Sequence, residues 1–531
     1  MKAKVHTGVL RGVDALPVEV EVDLLVSLPM FNTVGLAEGA VKESKERVRS
    51  ALKNSGFGFP AKRITVNLAP AGIPKTGTSF DLPICMGILL ENGELQPERL
   101  PDYLLVGELS LDGRVRPVKG VLPLALLARR EGRRGVIVPA ANAEEAAVVE
   151  GIEVLPVHTL KEVVEFLNGK GSLTPVALDI KAFFARDARH QEDYSDVRGQ
   201  TTARRALEVA AAGGHNLLMI GPPGGGKTML AKRLPTILPP LSFEEALETT
   251  KVYSVMGMLP AHCPLMTQRP FRAPHHTVSE VGLIGGGNYP MPGELSLAHH
   301  GVLFLDEMPE FRRQALEVMR QPLEDGEIHL ARARWAVQYP ARVMLVATMN
   351  PCPCGHLGDT ARNCHCHPQD VQRYRHRISG PLLDRIDIHL EVNSVKHLEL
   401  ADRRPAEDSA TIRARVLKAR EIQRERFAQY RATLGEQASG LEQLHCNAQL
   451  PSGLLREFCP LTSDAEHMLG LAMERLGLSA RAYARILKVS RTLADLNGET
   501  MILPRHVSEA INYRSLDRAQ AGQPQLQEQC A

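Results

Sequence analysis

The chain has 531 residues, which is too long for one hydrophobic core and predicts about three domains. Lys plus Arg (63) nearly balance Asp plus Glu (61), so the net charge does not indicate a nucleic-acid partner. An argument for such a partner has to come from local basic patches. The first residues lack the apolar core of a signal peptide, and no apolar run reaches the length of a membrane span. We therefore expect a cytoplasmic protein with no membrane partner.

Residues 1–170 have the pattern of an α/β domain, because short β-rich runs alternate with helical stretches. The predicted strands are 18–25, 63–68 and 135–139, and the predicted helices are 38–54 and 122–131. The following residues, 171–193, are polar and contain glycine and proline, which is typical of a linker. A domain boundary is therefore predicted there.

Three segments of this first domain, 71–79, 107–118 and 136–139, resemble the proteolytic domain of Lon-type proteases. The resemblance places Ser79 where such a protease carries its nucleophile. A serine that works without a histidine needs a lysine base within hydrogen-bond reach. The corresponding position here is Leu122, so the dyad is broken. We therefore expect a domain that keeps the fold for structure or assembly and has no peptidase activity.

The most informative stretch is a phosphate-binding loop, which fits the pattern G-x-x-x-x-G-K-[ST]. It is formed by Gly221, Pro222, Pro223, Gly224, Gly225, Gly226, Lys227 and Thr228. An apolar run of strand length, 216–220, precedes it, and a helical stretch follows it. Backbone N–H groups of the glycines and the helix N-terminus suit the phosphates of ATP. Lys227 would then neutralise phosphate charge, and the Thr228 hydroxyl would ligate Mg²⁺.

Two further strands of this domain, residues 194–395, end in polar side chains. One apolar run ends in Asp306 and Glu307, which predicts a buried parallel strand with carboxylates at its C-terminal end, where ligands of open α/β sheets bind. Asp306 would hold Mg²⁺ through its water shell, and Glu307 would polarise the attacking water. The alternative is that the two acids only cap the strand. Asn350 follows the strand 342–348 and would orient the same water.

An arginine, Arg385, follows these strands in the segment Pro-Leu-Leu-Asp-Arg-Ile-Asp. In a ring it would reach the nucleotide of the neighbouring subunit, where such a finger contributes about 10³ to 10⁵ in rate. When one surface of a subunit contacts a different surface of the next copy, repetition of that contact around a rotation axis closes a ring. With these four pieces in order, the chain resembles AAA+ ATPases of the magnesium-chelatase-like clade.

The sequence between these motifs is more specific. Residues 269–277, 285–287, 292–299 and 350–355, together with the Lon-like front domain, resemble the ComM (YifB) family over nearly the whole chain. The resemblance implies a homo-hexamer that binds single-stranded or branched DNA and moves branch points during natural transformation, with recombination proteins as further partners. It also implies loops that face the pore of the ring, and residues 282–293 have the glycine content of a mobile loop.

Four cysteines lie close together in the sequence, and their number satisfies tetrahedral Zn²⁺. They are Cys352, Cys354, Cys364 and Cys366. A structural zinc would order a loop that has too little apolar content to fold alone. Free reduced thiols are the alternative, and His356, His365 or His367 would be able to replace one sulfur ligand.

The residues that follow this cysteine cluster, 372–377, interleave arginines with Tyr374. Arginines suit contacts to phosphate, and an aromatic ring suits stacking on a base. In that case Arg373 and Arg375 would contact DNA. A solvated charged face would have a similar sequence, so both interpretations stay open.

Residues 409–517 have the pattern of a helical lid that closes over the nucleotide, after a connector at 396–408. The predicted helices are 411–430, 464–476, 480–496 and 504–513. By resemblance to related ATPases, Arg481 reaches the γ-phosphate, although Arg485 lies on the same helix. Residues 518–531 are polar and Gln-rich and predict a disordered tail.

The predicted fold class is therefore α/β: a P-loop AAA+ core with a parallel sheet and flanking helices, a Lon-like α/β domain before it and a helical lid after it. The predicted activity is ATP hydrolysis coupled to movement along DNA, with ATP and Mg²⁺ as cofactors. A magnesium-chelatase ATPase subunit is one alternative, although this chain carries the Lon-like domain and lacks a D-x-S-x-S metal-adhesion motif. A protein remodeller is a second alternative.

Overall fold

The computed structural model describes residues 3–185, 192–260, 262–287, 289–332, 335–358, 362–393, 406–434, 444–514 and 516. The predicted tail lies outside these ranges, as do residues 186–191 of the predicted linker and residues 396–405 of the predicted connector. The predicted α/β fold class is confirmed: the described residues contain two large sheets and three two-stranded ones, and the C-terminal part is helical.

The N-terminal domain is built on one mixed sheet of seven strands. Its strands, with a two-stranded hairpin beside the sheet, are β1 (Ala3–Arg11), β2 (Asp14–Leu25), β3 (Met30–Val34), β4 (Arg63–Ala69), β5 (Tyr103–Leu105), β6 (Glu108–Leu109), β7 (Val115–Arg116), β8 (Gly135–Pro139) and β9 (Glu153–Val157). The order in the large sheet is β3-β4-β2-β1-β5-β8-β9, and β6 pairs with β7. In the large sheet the pairs β1–β2 and β2–β4 are antiparallel and the other pairs are parallel, and the β6–β7 hairpin is antiparallel.

Helices cover this sheet. They are Ala40–Asn54, Asp81–Glu91, Val121–Arg130, Ala143–Ala146 and Leu160–Leu167. The helix Asp81–Glu91 packs on β1 and β2 and is buried on almost every side. Leu122, at the position of the protease lysine, is fully buried in the helix Val121–Arg130. Its isobutyl side chain supplies packing and no base.

The central domain is built on a parallel sheet. Its strands are β10 (Leu217–Ile220), β11 (Phe271–Arg272), β12 (Gly285–Gly286), β13 (Met291–Pro292), β14 (Val302–Leu305), β15 (Glu327–Arg332), β16 (Trp335–Pro340), β17 (Met344–Met349) and β18 (Ile388–Glu391). Five of them form a parallel sheet in the order β11-β14-β17-β10-β18. Every residue of β10, β14 and β17 is buried, as expected where both faces of a sheet are covered. The segments that follow these three strands therefore meet at one sheet edge.

The helices of this part are of two kinds, long ones that cover the sheet and short ones in the connections. They are Ile180–Ala185, Thr201–Gly213, Lys227–Ile237, Phe243–Met256, Glu280–Ile284, Glu294–Leu297, Arg313–Glu317, Arg320–Asp325, Pro368–Arg375 and Gly380–Leu383. The helix Phe243–Met256 begins with a capping box between Ser242 and Glu245 and ends at Gly257 in a left-handed conformation. The sequence therefore fixes both ends of this helix locally.

The segment predicted to be a mobile loop, 282–293, contains a β-hairpin. The two strands β12 and β13 are antiparallel, with Gly285 opposite Pro292. Gly285 has a φ of 98°, and a Cβ there would lie 2.3 Å from the Met291 carbonyl oxygen. The absence of a side chain at Gly285 therefore allows the two strands to pair closely.

The lid consists of helices that share a hydrophobic core with the ATPase domain. They are Ser409–Leu434, Leu455–Phe458, Ser463–Leu476, Ala480–Leu496 and Pro504–Asn512. The first of these packs on Thr201–Gly213 and on Lys227–Ile237, which lie on either side of β10 in the chain. Among the helices in the described part of the chain, none is long and apolar enough to cross a membrane.

The N-terminal domain contacts the ATPase domain mainly through the helix Phe243–Met256. Lys251 Nζ donates to Asp14 Oδ1 at 2.7 Å, and the Gly120 backbone N–H donates to the Ser254 carbonyl oxygen at 3.0 Å. The Tyr289 hydroxyl, at the tip of the β12–β13 hairpin, donates to the Leu10 carbonyl oxygen at 3.3 Å. This helix and hairpin therefore join the two domains.

Candidate active site

The phosphate loop occupies the turn between β10 and the helix Lys227–Ile237. Two of its residues, Gly224 and Gly226, have φ values of 79° and 83°, a region that glycine adopts without strain. Gly226 is also the residue that precedes the helix. The loop therefore ends where the free N–H groups of a helix point outward, an arrangement that suits phosphate.

Lys227 lies inside this loop, next to Asn350. Its Nζ donates to the Gly221 carbonyl oxygen at 2.6 Å, to the Pro222 carbonyl oxygen at 2.9 Å and to Asn350 Oδ1 at 3.3 Å. Burial lowers the pKa of Lys227, and the carboxylates of Asp306 and Glu307 oppose that shift. The lysine and the asparagine, 123 positions apart in the chain, thus meet at the carboxyl ends of β10 and β17.

Thr228 and Asp306 form the part of the site that suits Mg²⁺. Thr228 Oγ1 donates to Asp306 Oδ2 at 3.0 Å, and Thr348 Oγ1 donates to Asp306 Oδ1 at 2.6 Å. The backbone N–H of Glu307 donates to the same Thr348 hydroxyl at 2.9 Å. Hydroxyl and carboxylate oxygens are the ligands that Mg²⁺ prefers. Sequence reasoning missed Thr348, for which the only signal is a polar residue inside an apolar strand.

Glu307 follows β14 with a φ of 52°, a left-handed conformation that few non-glycine residues adopt. Its carboxylate is exposed, whereas the strand before it is buried. Such strained residues concentrate at functional sites. The interpretation that Asp306 and Glu307 only cap the strand does not account for the contacts of Asp306 with Thr228 and Thr348.

The two predicted arginines line a different cleft. Arg385 follows the helix Gly380–Leu383, where its Nη1 donates to the Pro381 carbonyl oxygen at 2.8 Å and its Nη2 pairs with Glu324. Arg481 is 68% exposed, and its Nη1 lies 3.3 Å from Asp384 Oδ2. Both line a cleft of about 830 Å³ between the ATPase core and the lid.

The cleft is lined by five cationic and three acidic side chains, and residues 221–228, all of them described, are absent from its lining. Its other cationic lining residues are Arg456, Arg485 and Lys488. Arg481 therefore lies beside Arg385, and its partner Asp384 belongs to the same arginine loop.

Comparison with known proteins agrees with this architecture. Family models described as magnesium chelatase subunit ChlI match residues 20–142 and 193–400, and the model of its C-terminal part matches residues 406–514. Competence protein ComM of Haemophilus influenzae is 47% identical over 522 residues, which cover 97% of this chain and 98% of that protein. The chain belongs to the ComM family. Its predicted AAA+ ATPase fold is thereby confirmed.

Other ComM-family relatives match over the same length. Protein YifB of Escherichia coli is 45% identical over 516 residues, which cover 97% of each chain. Lon protease 2 of Bacillus subtilis is 28% identical over 165 residues, or 28% of this chain. The resemblance of the front domain to Lon proteases is therefore confirmed.

The four clustered cysteines of this ComM-family chain bring their sulfurs together. The Sγ atoms of Cys352 and Cys354 lie 3.4 Å apart, and each lies 3.6 Å from the Sγ of Cys364. Together with the Sγ of Cys366 these make four sulfur atoms, all within 4.8 Å of one another. Zn–S bonds of about 2.3 Å in a tetrahedron separate the sulfurs by about 3.8 Å. The cluster thus fits zinc with sulfur alone and needs no histidine.

The cysteine loop also packs on the phosphate loop. Cys352 is fully buried and stands two residues after Asn350. Gly355 has a φ of 83°, and a Cβ there would lie 2.7 Å from Pro223 Cδ. The Arg375 guanidinium donates to the Pro351 carbonyl oxygen at 3.4 Å. The cysteine cluster is therefore in direct contact with the nucleotide site.

The basic segment after the cysteines supports only half of its predicted role. Tyr374 is buried under the guanidinium of Arg377, 5.8 Å from its ring centroid, so the ring is not available to stack on a base. Arg377 Nη1 also pairs with Glu310 at 2.9 Å. Arg373 is 80% exposed, with Asp370 at 3.7 Å. Of the two predicted phosphate contacts, Arg373 is accessible, whereas Arg375 holds the cysteine loop.

Sequence reasoning missed a second cluster, at the turn that precedes β14. Glu248 Oε2 lies 3.2 Å from His299 Nε2 and 2.8 Å from His300 Nε2. His299 Nδ1 accepts the backbone N–H of Arg342 at 3.1 Å, so the proton of the neutral ring is on Nε2. Burial lowers the pKa of His299 to about 4, which keeps this ring neutral. Because Nε2 is a donor, the cluster is a hydrogen-bond network and not a metal site.

Proposed function

We propose that this chain is the subunit of a cytoplasmic, ring-forming ATPase that couples ATP hydrolysis to translocation along DNA, with branch migration as its specific activity. One observation carries the proposal. Lys227, Asp306 and Asn350 converge at one sheet edge, whereas Arg385 and Arg481 line a separate basic cleft. Neither set is complete for phosphoryl transfer, and a second copy of the chain would supply what each lacks.

Within one subunit, each residue has a distinct task. Lys227 would bind the β- and γ-phosphates, and Thr228 and Asp306 would hold Mg²⁺, which would neutralise charge on the phosphates while the γ-phosphoryl group is transferred to water and ADP leaves. Glu307 accepts a proton from the attacking water, and Asn350 orients that water. Thr348 fixes Asp306 and the backbone of Glu307 through one hydroxyl. The catalytic carboxylates are thus positioned before nucleotide binds.

Between subunits, Arg385 would contact the γ-phosphate of the neighbour. The sequence predicts Arg481 on a lid over the nucleotide of its own subunit, but Arg481 lies beside Arg385 in the cleft, so we propose that it also serves the neighbour. Bidentate guanidinium groups match phosphate oxygens, and a cleft with several cations focuses a negative ligand. Because the phosphate-loop face of one subunit meets the arginine face of the next, the contact is heterologous and closes a ring. We propose a homo-hexamer for this reason and by relation to the family.

DNA is the proposed track. The relative from Haemophilus influenzae is named a competence protein, which supports a role with DNA for this chain. The front domain has Leu122 where a Lon-type protease has its lysine, which supports a role in assembly rather than in peptide hydrolysis. Recombination proteins are the proposed further partners.

The deciding experiment is steady-state ATP hydrolysis with no DNA, single-stranded DNA, duplex DNA and a four-way junction. We expect DNA to stimulate hydrolysis, with the largest effect from the single strand or the junction. The Glu307→Gln variant is the blank, and a strand-displacement assay then tests movement. Robust hydrolysis that no DNA changes would overturn the proposal and favour a chelatase subunit or a protein remodeller.

We also propose that the four cysteines hold a structural zinc. Protein purified without refolding or metal-affinity chromatography is expected to contain about one zinc per chain by plasma mass spectrometry. The double variant Cys354→Ser/Cys364→Ser should lose the metal, because hydroxyls are poor zinc ligands. Cys263→Ser is the matched control, since Cys263 lies outside the cluster. Less than about half an equivalent in the unchanged protein would contradict the assignment.

Arg373 is the expected DNA contact of the basic segment. Arg373→Ala should lower the slope of log affinity against log salt concentration by about 1, since one phosphate contact is lost. Arg377→Ala is the control, because Glu310 already neutralises that guanidinium. Fluorescence anisotropy with labelled single-stranded DNA at several salt concentrations measures both slopes. An unchanged slope for Arg373→Ala would exclude this contact.

A further inference from the structure

A buried polar network lies behind the arginine loop. His215 is fully buried, with its Nδ1 3.1 Å from Asp387 Oδ2 and its Nε2 2.8 Å from Thr492 Oγ1. Asp387 stands two residues after Arg385, and Thr492 is on the helix Ala480–Leu496 that carries Arg481. One imidazole thus joins the two chain segments that hold the proposed trans arginines.

The neighbouring residue, Asn216, joins the same loop to the nucleotide site. Its backbone N–H donates to Asp387 Oδ2 at 3.2 Å, and its Nδ2 donates to the Arg385 carbonyl oxygen at 3.0 Å. Its Oδ1 accepts the backbone N–H of Leu345 at 2.8 Å. Asn216 directly precedes β10, which leads to the phosphate loop, and Leu345 lies in β17, which leads to Asn350. Both strands of the nucleotide site are therefore bonded to the arginine loop.

The network is costly to bury, which argues that it does more than fill space. Burial alone would raise the pKa of the Asp387 carboxyl, but Arg485 and His215 together hold that pKa well below its ordinary value. Arg485 Nη1 lies 2.9 Å from Asp387 Oδ1, and Asn447 Nδ2 donates to Thr492 Oγ1 at 3.1 Å. A protein with apolar residues in place of a buried ion pair is often equally stable, whereas the hydrogen bonds of polar partners fix the packed segments in one relative orientation.

A nucleophile triad is a different interpretation of Thr492, His215 and Asp387. The Thr492 hydroxyl is fully buried, as are the other two side chains. No substrate reaches a hydroxyl in that position, so the arrangement does not support covalent catalysis. Its geometry supports positioning.

We propose that His215 is a positioning residue that couples the nucleotide site of its own subunit to the arginines offered to the next subunit. It holds the Arg385 loop and the Arg481 helix in one orientation relative to the strand that enters the phosphate loop. A shift of β10 on nucleotide binding would move Asn216 and His215, and through Asp387 it would move Arg385. The inference rests on the proposed ring with trans arginines.

The test is complementation between two inactive variants. Arg385→Ala subunits keep an intact phosphate loop but offer no finger, and Glu307→Gln subunits bind ATP and offer the finger but do not hydrolyse their own nucleotide. Mixed rings regain hydrolysis where the nucleotide of an Arg385→Ala subunit faces the Arg385 of a Glu307→Gln subunit. His215→Gln is then added either to the finger donor or to the nucleotide holder, and ATP hydrolysis of each mixture is measured.

We expect a directional result. His215→Gln in the Glu307→Gln finger donor should reduce the regained activity by about threefold to thirtyfold, the range for residues that carry coupling. The same change in the Arg385→Ala nucleotide holder should leave most of the activity, because that subunit is not the finger donor. Binding of a fluorescent ATP analogue to the His215→Gln chain should stay unchanged.

Each other outcome is informative. Equal effects in both subunits, or none, would overturn the inference while the ring proposal stands. No regained activity in the first mixture would overturn the trans arginines and the inference with them. If His215→Gln does not fold, Thr492→Val removes the hydroxyl partner of Nε2, and with it the acceptor of Asn447 Nδ2, at nearly constant volume. The same directional loss is required of it.

Discussion

Glu307→Gln is expected to abolish ATP hydrolysis and to leave ATP binding intact. The amide keeps the size and the backbone conformation of the residue but does not accept a proton from water. Loss of a general base lowers the rate by about 10² to 10⁴. The backbone N–H of Glu307, which is bonded to Thr348, is unaffected by the change. Nucleotide should therefore remain bound, and rings should accumulate in the ATP state.

Two measurements are needed for this prediction: phosphate release and the affinity for a fluorescent ATP analogue. Glu310→Gln is the matched control, because this carboxylate is three residues away and pairs with Arg377 at the surface. It should retain most of the activity. If Glu307→Gln hydrolyses ATP at more than about a tenth of the original rate, the base is another group.

Arg385→Ala is expected to reduce hydrolysis by about 10³ to 10⁵ in the assembled ring, the effect of losing an arginine finger. Lysine should not restore the rate, since an ammonium lacks the planar fork that matches phosphate oxygens. The guanidinium pairs with Glu324 in the single chain. In a ring this ion pair has to be exchanged for the phosphate of the neighbour, so activity should rise with protein concentration as rings form.

Steady-state rates over a range of protein concentrations check the Arg385 prediction. Arg475→Ala is its matched control, because Arg475 is an exposed arginine on the lid helix Ser463–Leu476. It should retain the original rate. A rate per chain that does not depend on concentration, together with an unaffected Arg385→Ala variant, would exclude catalysis between subunits.

The nucleotide half of the site is predictable from the sequence because its determinants are local. The phosphate loop carries its chemistry in eight consecutive residues, and an apolar strand that ends in carboxylates indicates which edge of the sheet they occupy. The helix Ala480–Leu496 was predicted with the bounds that the structure has. The spacing of apolar residues and the capping residues at the ends encode such helices in residues that are close together in the sequence.

Other features depend on contacts between distant segments. The helix Asp81–Glu91 is apolar on every side, so it shows no amphipathic period and was missed. Arg481 meets Asp384 across 97 positions because of how the lid packs on the core, which no local pattern encodes. Stacking on a base is one of the two interpretations that the sequence leaves open for Tyr374, but tertiary packing buries its ring. Thr348 becomes a partner of Asp306 only when two strands lie side by side.

The helix Phe243–Met256 contacts both the N-terminal domain and the turn that precedes β14. It receives the N-terminal domain through Lys251 and Ser254, and its Glu248 bonds to the turn that starts β14. β14 ends at Leu305, directly before Asp306 and Glu307. A displacement of the N-terminal domain is thus expected to reach these two carboxylates through the helix Phe243–Met256. The position of the front domain would then influence the geometry of the nucleotide site.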